Sequence, residues 1–84
     1  MQIVQFWPAE GPGDTVGHFD VEIVEGLRLN GLRLIDHPRD GWRIQAPKMG
    51  TRRAATFHPR IASLITRAAV AHLKGEKPHE LRAA

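Results

Sequence analysis

The sequence predicts an α+β domain: a small antiparallel β-sheet of about five strands packed by one C-terminal helix. Two patterns carry that expectation. Up to residue 58 the chain is a series of short, alternating apolar runs broken by Gly, Pro, Asp and Asn clusters. After it comes a single stretch with helical periodicity, closed by Gly75 and Pro78.

The elements follow in order. Residues 2–7 form an apolar-rich run that Pro8 ends, the pattern of a strand. Glu10, Gly11, Pro12, Gly13 and Asp14 make a turn cluster; it lacks the Lys-Ser/Thr pair of a phosphate-cradling loop. Phe19, Val21 and Ile23 alternate with Asp20 and Glu22, so one face of this strand is apolar and the other wet. Glu25-Gly26 is a two-residue turn. Residues 27–35 read as another strand with a change of parity inside it. Leu27 and Leu29 share one parity, and Leu32 and Leu34 the other. A β-bulge at Asn30-Gly31 reconciles them; the rival, a second tight hairpin there, leaves strands of only three and four residues. A turn spans 36–41. Trp42, Ile44 and Ala46 alternate with Arg43 and Gln45 until Pro47 stops the strand. Residues 48–52 form a basic loop around Gly50, and residues 53–58 a last strand with Ala55 and Phe57 on one face.

The helix is expected from residue 59 or 60 to residue 74. At 100° per residue, Ile61, Ala62, Leu64, Ile65, Ala68, Ala69, His72 and Leu73 share a broad apolar face that covers the sheet. Arg60, Arg67 and Lys74, spaced by sevens, line up on the opposite side with Ser63, a stripe about 21 Å long at 1.5 Å per residue. Val70 sits beside the stripe, either exposed or touching a second subunit. Residues 1–75 therefore make one domain, with 76–84 a flexible C-terminal tail.

An 84-residue chain buries only about 60% of its unfolded surface. With no cysteine, neither a disulfide nor a Cys-ligated zinc supplements its core. Oligomerisation is the remaining common route to extra burial, so a homodimer is expected. No run of about 20 apolar residues and no signal-peptide pattern is present, which suggests a soluble cytoplasmic protein.

Charge is segregated along the chain. Residues 1–47 carry four Arg against seven acids, a net of −3; residues 48–84 carry eight Lys or Arg against two acids, a net of +6. The 27-residue window from Lys48 to Lys74 holds Lys48, Arg52, Arg53, Arg60, Arg67 and Lys74 and no acid. These six are the candidate phosphate contacts, although a solvated face gives the same pattern. Trp7 and Trp42 offer rings for base stacking, but both lie in strand patterns that favour core or dimer packing. The five histidines are too widely spaced for a metal site, and His72 falls on the apolar helix face. Asp36-His37 with His58 imitates an acid–base pair, yet no nucleophile or oxyanion arrangement is legible, so no enzyme and no cofactor is expected.

The order of motifs is distinctive. Leu32-Arg33-Leu34-Ile35-Asp36 leads to Gly41, then Trp42-Arg43-Ile44-Gln45-Ala46-Pro47, a basic loop, and Phe57-His58-Pro59 before a helix. Over residues 27–73 this resembles the stage V sporulation protein G family, the bacterial septation regulators (SpoVG-like). Lys48 after Pro47, Ala54-Ala55-Thr56 before His58, and Arg60-Ile61-Ala62-Ser63 at the helix start depart from the family pattern. The resemblance implies dimerisation through the sheet and nucleic-acid binding (DNA or RNA) in transcription regulation or cell-division control, without catalysis. The sequence thus suggests a nucleic-acid-binding regulator that uses the basic loop and the helix. The alternative is a protein–protein interaction module that uses sheet edges.

Overall fold

The computed structural model describes residues 1–75. Its main layer is a four-stranded antiparallel meander, β1 (Gln2–Pro8), β2 (Thr15–Val24), β3 (Leu27–His37) and β4 (Gly41–Gln45), in the spatial order β1-β2-β3-β4. A two-stranded ribbon follows, β5 (Lys48–Met49) with β6 (Arg52–Arg53), and the chain then enters helix α1 (Pro59–Leu73). The expectation of about five strands is corrected in detail. The fifth strand expected at residues 53–58 does not form; residues 54–58 are irregular and lead into the helix. Three features of that segment account for this. Ala54 donates its N–H to Pro47 O at 2.8 Å, the His58 side chain serves as a helix cap, and Pro59 has no N–H for a ladder. Phe57 and Ala55 still pack against the core. The tail expected over 76–84 lies outside the described residues.

The parity change in β3 is a bulge. Phe19 pairs with Leu32 and Val21 with Leu29, so Asn30 and Gly31 together oppose Asp20. Gly31 adopts φ +71°, a left-handed conformation that costs residues with a Cβ. Its N–H donates to Asp20 Oδ1 at 2.8 Å, which satisfies a donor freed from the ladder. Beyond the bulge, Leu32 and Leu34 join Phe19 and Val21 on the helix-facing side, and Arg33 turns outward.

The core is Phe19, Val21, Leu32, Leu34, Ala46, Ile65 and Ala69. Phe6 bridges the layers: its ring stacks on Phe19 at 6.4 Å between centroids and on His72 at 5.8 Å. Gly17 lies beneath that ring; a Cβ there would sit 2.6 Å from Phe6 Cζ and 2.7 Å from Trp7 O.

The helix is rolled away from the orientation its apolar face predicts. Ile65 and Ala69 are buried and Val70 packs against the core, while Leu64, Ile61 and Leu73 stay 37–45% exposed. A sheet touches only part of a helix's circumference, and small Ala69 allows close approach along its own line. The remaining apolar arc is left to solvent. At the helix start, His58 Nδ1 accepts the Arg60 N–H at 3.2 Å and Pro59 occupies the first turn. Among the described residues no helix is long and apolar enough to cross a membrane.

Candidate nucleic-acid interface

All six sequence-predicted cations are exposed, and they are not gathered in one concavity. Arg60 and Arg67 lie on α1 and Lys74 is its C-cap, one residue past the helix end at Leu73; Arg67 and Lys74 border a groove of ≈610 Å³ together with Trp42, Leu64, Ala68 and Val70. Lys48 and Arg53 are cross-strand partners in the β5–β6 ribbon, and Arg52 pairs with Met49 near its tip. Lys48 and Arg53 line a different concavity of ≈350 Å³, with His18, Arg33, Gly31, Ala46 and Pro47. The two grooves have no lining residue in common.

The second concavity owes its composition to strand alternation. Leu32 and Leu34 are buried toward the helix, so Arg33 points to the other face of the sheet. His18, between buried Gly17 and Phe19, does the same. Register then sets Trp7 opposite His18, His18 opposite Arg33, and Arg33 opposite Gln45, a row across all four strands. The ribbon folds against the end of this row. Arg53 donates from Nη1 to Ala46 O at 3.0 Å and from Nη2 to Gln45 Oε1 at 3.3 Å. Arg33 Nη2 donates to the same Gln45 oxygen. Two guanidinium groups therefore meet at one neutral acceptor. No carboxylate lines the concavity.

Strand alternation alone marks Arg33, Gln45 and His18 as outward-facing, but nothing local in the sequence links them to Lys48 and Arg53. Their neighbourhood depends on the register and on the fold-back of the ribbon. Trp7 is 46% exposed on this outer face and takes no part in the core, whereas Trp42 packs against it. Of the core or dimer packing expected of both tryptophans, packing on the chain's own core is seen for Trp42.

The histidines near prolines have structural partners. His37 Nδ1 accepts the N–H groups of Arg39 and Asp40, each at 3.1 Å, and shapes the β3–β4 turn. Asp40 Oδ2 lies 3.4 Å from Arg43 Nη1 in an exposed pair, the kind that contributes little to stability. His58 caps the helix and His72 stacks on Phe6. Among the described residues, no group of three or more His, Asp or Glu side chains is placed to hold a metal ion.

No family model, no curated protein and no solved structure matches this chain.

Proposed function

We propose that this protein binds nucleic acid, mainly through the phosphate backbone, as a non-catalytic homodimeric regulator of the septation-regulator kind. The observation that carries the reading is the state of its cations. Lys48, Arg52, Arg53, Arg60, Arg67 and Lys74 are all exposed, and the ion pair seen among the described residues, Asp40 with Arg43, engages none of them. Exposed Lys and Arg without carboxylate partners are free to neutralise phosphates and release condensed counterions. The order of motifs from Leu32 to Pro59, which resembles the septation regulators, supports the same function. So small a core in a chain without cysteine favours association of two copies.

The test is fluorescence anisotropy of labelled duplex DNA, single-stranded DNA and RNA, titrated with salt. Wild type is compared with Arg60→Glu/Arg67→Glu/Lys74→Glu, with folding checked by circular dichroism. Affinity falls with salt in the wild type, and the folded variant loses at least three phosphate contacts, flattening the log–log slope by roughly three on duplex DNA. Absence of binding to every polymer at low salt refutes the reading. In that event a protein-interaction module becomes the better account, for which edge strands β1 and β4 offer the pairing surface.

A further inference from the structure

We infer that the sheet face opposite the helix is a platform for single-stranded nucleic acid, with Trp7 stacking an unpaired base and Arg33, Lys48 and Arg53 holding the adjoining phosphates. This rests on the nucleic-acid reading above and assigns it a strand type and a second surface, away from the helix stripe.

Three observations converge on it. The first is electrostatic. Arg33 and Arg53 both donate to Gln45 Oε1, and Lys48 lines the same concavity; none of the three has an ion-pair partner among the described residues, and the carboxylate bordering the site, Asp20, is engaged by the Gly31 N–H. A guanidinium has five N–H donors, so most of their hydrogen-bonding capacity remains unspent after Gln45 and Ala46 O are served. An anion in this concavity relieves the repulsion between the two groups and accepts those donors in the forked geometry that phosphate suits. Its ≈350 Å³ volume is large enough for a small ligand group.

The second observation concerns Trp7. Its neighbour Phe6 does the packing for β1, while Trp7 stands 46% exposed on the outer face. An aromatic ring left open is a sequence-tolerant stacking surface. The third is register. Trp7, His18, Arg33 and Gln45 form one row across adjacent strands, which at about 4.8 Å per strand spans roughly 14 Å. The stacking ring and the cations thus share one face, with His18 between Trp7 and Arg33, about 10–14 Å apart at that strand spacing. A duplex keeps its bases stacked inside, so it can use the cations but not the ring; a single strand can use both.

The experiment uses the full chain with Trp42→Phe, which leaves Trp7 as the sole tryptophan reporter. Short oligothymidylate, oligouridylate, an abasic oligomer of the same length and a duplex are titrated at several salt concentrations. The base-bearing single strands are expected to quench Trp7 fluorescence, and the abasic oligomer to bind without quenching. Trp7→Leu should weaken single-strand binding about fivefold or more and leave duplex binding nearly unchanged. The exposed Lys48→Ala change should reduce the single-strand salt slope by about 0.7. Oligothymidylate against oligouridylate tells which sugar is preferred. The inference is overturned if Trp7→Leu and Lys48→Ala bind single strands like wild type while the helix variant does not; nucleic-acid binding itself then stands. Capture of an acidic peptide with the same Trp7 response and no oligomer binding overturns both.

Discussion

Replacing Gly31 with Ala tests the device that decides which side chains face which way. Gly31 sits in the β3 bulge at φ +71°, and a Cβ added there meets nothing within 4 Å. The cost is therefore backbone strain rather than collision. A left-handed conformation costs an L-residue about 1–2 kcal/mol. Reduced freedom of the unfolded chain returns up to about 1 kcal/mol. The net loss is on the order of 1 kcal/mol, which lowers Tm by about 4–8 °C in a domain of this size. Gly31→Asn should lose less, because Asn tolerates the left-handed region better. Asp20→Ala, which removes the acceptor 2.8 Å from Gly31 N, should cost about 1.5–3 kcal/mol if the charged hydrogen bond contributes at the usual level. Thermal unfolding followed by circular dichroism reads all three. If Gly31→Ala melts within about 2 °C of wild type, or no lower than Gly31→Asn, the positive-φ bulge is not what holds the register.

Two further perturbations probe packing. Gly17→Ala drives a methyl into the Phe6 ring and Trp7 O, and should cost about 1–3 kcal/mol; Phe6→Leu in the same chain should recover part of it, measured as a coupling energy in denaturant unfolding. Ile65→Ala should cost about 2–5 kcal/mol, a large share of the roughly 4–13 kcal/mol expected for a domain this long. Leu64→Ala, one residue away but 45% exposed, should change stability by less than about 0.5 kcal/mol; equal losses at the two positions would refute the observed roll of the helix.

The α+β class, the helix from Pro59 and the bulge in β3 are legible in the order of residues alone. Each depends on short-range rules: period-two and period-3.6 apolar spacing, a Pro at the helix start, and a Gly where parity changes. The segregation of charge is legible there too, since six cations without an acid need no coordinates to count. What those cations adjoin depends instead on contacts between distant segments. Lys48 and Arg53 stand with His18 and Arg33, residues far away in the chain, while Arg67 and Lys74 border a separate groove on the helix. Strand register brought the first group together, and register is a long-range property set by pairings such as Trp7 with His18 and Arg33 with Gln45. The roll of the helix was likewise a tertiary matter. Its apolar arc is wider than a sheet can cover, and periodicity cannot say which part of that arc, Leu64 or Ile65, meets the strands. Local pattern specifies the elements; contact between distant segments specifies the surfaces they present.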